Sequence, residues 1–175
     1  MKKLLLIVFV IGTAVMVVVM ARTGSPLKTP ATPHGIIDLE FSYNAAKVNT
    51  VIRAWTHSAT GSFGKIEAAK LNTYLDFIFL FFYAGFLSLA CRNIARQIKG
   101  PAANAGNIIA AGALLAGFFD VLENIGMLLA LGGRVITGIA FLTTFFSVLK
   151  WLLAALAVLY VLSGLITLAV QRLKK

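Results

Sequence analysis

The chain has 175 residues, of which 59% are hydrophobic and 13% charged. Soluble domains sit near about 45–50% apolar, so this excess excludes an ordinary water-soluble domain, and the length suits one helical bundle rather than two domains plus a membrane part. Sixteen Lys and Arg against six Asp and Glu leave a formal charge of +10 without a basic stripe interleaved by aromatics; that charge reads as membrane topology and lipid headgroup contact, and no nucleic-acid partner is expected.

The first element is an apolar run at residues 4–21 behind Lys2 and Lys3. It is longer than the core of a cleaved signal peptide and near a spanning length, so an uncleaved first span is expected. Residues 22–70 form the one sizeable polar loop. It opens with TGSPLKTPATPHG, an extended linker by its Pro, Gly and Thr content. GIIDLEF then alternates, Ile37, Leu39 and Phe41 against Asp38 and Glu40, which predicts a short strand or extended segment. Ala45, Val48, Ile52 and Trp55 recur at helical spacing, predicting an amphipathic helix over residues 43–55 with Ser42 as its N-cap and Trp55 near the membrane interface.

A second span is expected at residues 71–91 and a third at 105–131. The lone cysteine, Cys91, ends the second run; it excludes an intrachain disulfide and reads as a buried thiol. Residues 135–170 carry one charge, Lys150. A helix of that length would reach ~54 Å against a hydrocarbon core of ~30 Å. The expectation is therefore an interfacial segment at 135–147 followed by a fourth span at 149–170, with a single long tilted helix as the competing arrangement.

Charge sets the expected orientation. Lys2, Lys3, Arg92, Arg96, Lys99, Arg172, Lys174 and Lys175 fall in three short pieces without an acid. Short basic loops stay in the cytoplasm, so both termini are expected there, in a bacterial inner membrane, with the 22–70 loop capping the exoplasmic face.

The third run holds the least expected feature, GFFDVLENIGML at residues 117–128. On a helix Asp120, Glu123 and Asn124 share one face, which continues through Gly117, Ala116, Ala113, Ala110 and Gly106 in one direction and Met127 in the other. Small ridges let helices approach closely in lipid, where apolarity alone drives no association. The acids therefore point into the bundle. Antiparallel spans would bring Asp76 and Lys150 to the same depth. A charge at mid-bilayer costs about 2.5–3.5 kcal/mol on insertion scales, so pairing with Lys150, protonation or water entry is required.

The predicted polar cluster is thus Asp76, Asp120, Glu123, Asn124 and Lys150, with Glu40, His57 and Trp55 as contributors from the loop. A fixed interhelical ion pair is the plainest role for it; a binding pocket or a contact surface for another span are the others. Enzymatic motifs are missing: the chain has no H-E-x-x-H, G-x-S-x-G or Gly-rich phosphate loop, and no metal site is assigned. Two aspartates on separate spans, Asp76 and Asp120, keep a carboxylate enzyme or a proton- or ion-coupled carrier open as the alternative. The favoured reading is a binding or assembly module for a lipid, a small molecule or a partner membrane protein, a second copy of the chain included. The aromatics of the second run, Phe77, Phe79, Phe81, Phe82, Tyr83 and Phe86, cover all sides of that helix and read as packing.

TPHGIIDLEF, an amphipathic helix ending in Trp55, then YLDF, DVLENIGML and LKW form a pattern that resembles a set of small bacterial four-span inner-membrane proteins. The resemblance runs from Thr32 to Trp151. It implies an all-α membrane fold with four transmembrane helices, and it carries no activity with it.

Overall fold

The computed structural model describes residues 2–56 and 62–173. The described residues are helical with no strand; an isolated antiparallel bridge joins Thr29 and Thr32. Six helices follow one another: α1 (Lys2–Gly24), α2 (Ile36–Glu40), α3 (Ala45–Thr56), α4 (Ser62–Ala95), α5 (Pro101–Leu131) and α6 (Thr137–Leu173). Helices α1, α4, α5 and α6 are each long and apolar enough to cross a bilayer, which makes the chain a multi-pass membrane protein.

Contacts fix the register. Asn72 of α4 donates to Met20 O and to Thr23 Oγ1 of α1, at 3.2 and 2.7 Å. Further along, the Phe9 ring lies over Gly85 and the Phe82 ring over Gly12, so each helix offers a bare backbone to the other's aromatic. A side chain at either glycine would collide with a ring. The pairs Gly117–Ala84, Gly106–Tyr160 and Gly126–Thr143 make α4 and α5, then α5 and α6, antiparallel neighbours. Both described ends of the chain therefore lie at one end of the bundle, and residues 25–56 at the other. Helix α5 is central. It buries Gly106, Ala110, Ala113, Ala116, Gly117, Asp120, Glu123, Asn124 and Met127, the ridge its sequence predicts. Helix α1 is peripheral and buries Met16 alone among its described side chains.

The 25–56 segment forms a cap. Leu27, Leu39, Val48, Val51 and Trp55 pack on Ala69, Met127, Ala130, Leu131 and Ala140, closing one end of the bundle. Trp55 is fully buried; its Nε1 donates to Leu27 O at 2.9 Å and to Thr32 Oγ1 at 3.2 Å. This corrects the expectation that Trp55 contributes to the polar cluster. The ring fills the space beneath the linker and pins it.

Three further expectations are corrected. GIIDLEF is helical, not extended. Gly35 takes φ +67°, a turn that favours glycine, and the Asp38 carboxylate accepts the His34 backbone N–H at 2.8 Å, closing the first turn. The N-cap of α3 is Asn44, whose Oδ1 accepts the Lys47 N–H at 2.9 Å; Ser42 donates instead to Asp38 O. Finally, α6 runs unbroken through 37 residues, so the division into an interfacial 135–147 and a span at 149–170 does not occur. Its inward stripe, Ala140, Thr143, Ser147, Lys150, Ala157 and Gly164, is continuous at helical spacing across the expected break. Each polar member of that stripe has a partner inside the protein, and no proline interrupts the run.

Candidate functional site

Four helices supply the site, and helical spacing brings its side chains to one level. On α4 the inward face runs Ala69, Asn72, Thr73, Asp76 and on to Ala84 and Leu87. On α5, Asp120, Glu123 and Asn124 occupy successive turns of the buried ridge. On α6, Lys150 lies one turn beyond Ser147. The short helix α2 adds Glu40. Because α2 is a helix, Leu39 and Glu40 turn inward together while Ile37 and Phe41 stay exposed.

Lys150 is the hub and is buried. Its Nζ lies 2.8 Å from Asp120 Oδ1, 3.0 Å from Glu123 Oε1 and 2.9 Å from Glu123 Oε2. Glu40 Oε2 is 3.8 Å away, an ion-pair distance without a hydrogen bond. Both oxygens of Glu123 thus flank the ammonium, and Oε1 is the one aligned with a hydrogen bond. The second oxygen of Asp120 accepts from the Tyr83 hydroxyl at 2.7 Å. Asp76 accepts from Asn124 Nδ2 at 2.7 Å and lines the same groove as Asp120. Glu40 is held on both sides: Ser147 Oγ and Trp151 Nε1 donate to its Oε2 at 3.3 Å each, and Thr144 Oγ1 donates to its backbone carbonyl at 2.8 Å.

Three of the chain's six acids, Glu40, Asp120 and Glu123, therefore converge on one ammonium, and a fourth, Asp76, lines the same groove beside them. The other two pair elsewhere, Asp38 with His34 and Glu67 with Lys70. Acceptors outnumber donors in the cluster. Asn124, fully buried, turns its Nδ2 to Asp76 and leaves Oδ1 without a donor among the described residues. A buried acceptor in that condition costs about 1–3 kcal/mol.

A groove of about 370 Å³ reaches this cluster from between α1 and α6. Glu40, Asp76, Asp120 and Lys150 line its polar end. Phe79, Phe86, Leu87, Ala154 and Val158 line the apolar remainder, with Thr13 and Met20 of α1 as the far bank. Tyr83 and Trp151 stand where the two parts meet, each touching a carboxylate and the groove.

The structure brings together all five residues of the predicted cluster, and Glu40 from the loop. Trp55 belongs to the cap and touches none of them. His57 lies outside the described residues. Tyr83, Ser147 and Trp151 belong to the cluster although sequence reasoning did not select them. Tyr83 was one aromatic among many, but its position seven residues after Asp76 puts it on the same helix face. Among the described residues no group of three or more His, Cys, Asp or Glu side chains has the geometry to hold a metal ion. Comparison with protein-family models, curated proteins and solved structures finds no match, so a functional reading rests on this geometry.

Proposed function

We propose that the chain binds an amphipathic molecule from the bilayer, with the molecule's head at the carboxylate cluster and its tail in the groove between α1 and α6. The observation that carries this reading is the continuity of one cavity from Asp76, Asp120 and Glu40 to an apolar wall of Phe79, Phe86, Leu87 and Val158. A structural ion pair needs no such cavity. The head it favours is an amine. Three carboxylates face one ammonium with Asp76 beside them, and Phe79, Tyr83 and Trp151 stand around the same mouth, where aromatic faces attract cations.

The test uses Trp151, half exposed in the groove and 3.3 Å from Glu40, as a fluorescent reporter in a Trp55→Phe background. A long-chain alkylamine is expected to shift Trp151 emission saturably, and the alkyl carboxylate of equal length is not. Glu40→Gln should weaken the response about tenfold, the loss of roughly one charge-assisted contact, while leaving Lys150 paired with Asp120 and Glu123. Equal responses to amine and carboxylate, unchanged by Glu40→Gln, would refute the proposal.

A second reading rests on a separate observation, the presence of Asp76 and Asp120 from separate helices in the lining of one groove. Two carboxyl groups sharing a buried site suit acid/base chemistry or proton carriage. Asp76→Asn would abolish proton flux or turnover under that reading; under the first it would weaken amine binding, and no proton flux or turnover would exist to lose. For orientation we favour both termini in the cytoplasm of a bacterial inner membrane, which a reporter fused after Lys175 checks directly.

A further inference from the structure

We infer that the end of the bundle bearing the chain termini holds one anionic phospholipid, its phosphate between Arg92 and Arg96 and an acyl chain along α1. Arg92 ends α4, and the Arg96 N–H still donates to Arg92 O at 3.2 Å, so the two side chains leave one face a turn apart. They border a cleft of about 580 Å³ between α1 and α4 with Asn93 beside them and Leu5, Leu6 and Leu89 as its apolar wall. Arg92, Asn93 and Arg96 are exposed, and neither guanidinium pairs with an acid among the described residues.

The charge layout selects the occupant. All six acids lie in the cap or in the half of the bundle beneath it, whereas Arg92, Arg96, Lys99 and Arg172 stand at the other end without one among the described residues. Two guanidinium forks one turn apart match phosphate oxygens in a bidentate way. With no carboxylate nearby to receive an ammonium, a zwitterionic headgroup gains less than an anionic one. The apolar wall directly beside the arginines asks for an acyl chain, which free phosphate lacks. The site stands apart from the carboxylate groove, which lies on the far half of the same helices.

Native mass spectrometry of the full chain, released from mixed micelles of phosphatidylglycerol and phosphatidylcholine, tests it. One phosphatidylglycerol is expected to be retained in preference to phosphatidylcholine. The pair Arg92→Gln and Arg96→Gln should cut retention by roughly thirtyfold, the combined effect of two basic side chains at a membrane surface. Lys99→Gln with Arg172→Gln removes the same charge at the same end outside the cleft, and should change retention by less than about threefold. Arg92→Lys with Arg96→Lys keeps the charge but loses the fork and should fall between. An equal loss in both Gln pairs would make the effect diffuse charge and overturn the site. Displacement of the lipid by millimolar inorganic phosphate would overturn the acyl-chain part of the claim.

Discussion

The two halves of this bundle are held together by different physics. Beneath the cap, α4, α5 and α6 meet through ionised and polar groups: Lys150 with Asp120 and Glu123, Tyr83 with Asp120, Asn124 with Asp76. Toward the termini the same helices meet through bare contact, with Leu87, Cys91, Ala110, Ala113 and Ala157 in a dry cluster and Gly106 beneath Tyr160. Lipid is as apolar as leucine, so helices in it associate either by polar pairing or by close approach of small residues. Here close approach at small residues runs the length of α5, and the buried ion pairs are confined to the half beneath the cap. Close packing brings α4, α5 and α6 together toward the termini without a charged group between them. The polar half is costlier, and it is the half that holds a groove with charged walls. The difference teaches that fastening these helices does not by itself require ion pairs: the dry half does without them.

Substitutions in each half should separate the two devices. The largest effect is expected from Lys150→Met, which leaves Glu40, Asp120 and Glu123 without their cation; removing one partner of a buried pair costs about 3–5 kcal/mol. Thermal unfolding in detergent should show a collapse of the transition and low accumulation in membranes. Retention of the wild-type transition would mean that the acids are neutral in the fold and the pairing is incidental. Ala113→Leu overfills the dry half and should cost about 1–3 kcal/mol by the same measurement, with the Trp151 response to alkylamine preserved. If that response vanished, the halves would be one cooperative unit. Trp55→Phe keeps the ring in the cap but loses the bonds to Leu27 O and Thr32, worth about 1 kcal/mol. Proteolysis of the 25–56 segment should then quicken while the bundle transition moves little. The smallest effect belongs to Lys70→Gln, whose partner Glu67 is well exposed; a change within about 0.5 kcal/mol is expected.

Much of this arrangement was legible in the residues because lipid imposes simple rules. Long apolar runs gave the spans, and the ridge Gly106, Ala110, Ala113, Ala116, Gly117 pointed the acids inward before any coordinate did. The convergence of Asp76, Asp120 and Lys150 followed from antiparallel spans alone. What stayed hidden was local. Ile37, Leu39 and Phe41 alternate with two acids as a strand would, and five residues are too few for helical periodicity to declare itself. The turn at Gly35 decides the matter, and with it the inward direction of Glu40. Trp151 follows Lys150 by one residue, a separation that normally sends side chains 100° apart on a helix. Its indole reaches Glu40 because the groove lies beside the cluster and not above it. The length of α6 misled for a different reason: a rod of ~55 Å exceeds the hydrocarbon thickness, but a helix is free to project beyond it or tilt.

The order of the charges along the chain has a consequence for biogenesis. Asp120 and Glu123 leave the ribosome ahead of Lys150 by 30 and 27 residues. At about 5–20 residues per second that is a wait of roughly 1.5–6 s in which α5 exists without its counter-ion. The nascent third span therefore cannot partition into lipid as an isolated ionised rod at low cost. Insertion of α5 together with α6, as a hairpin, removes that cost, because Lys150 then arrives beside Asp120 and Glu123.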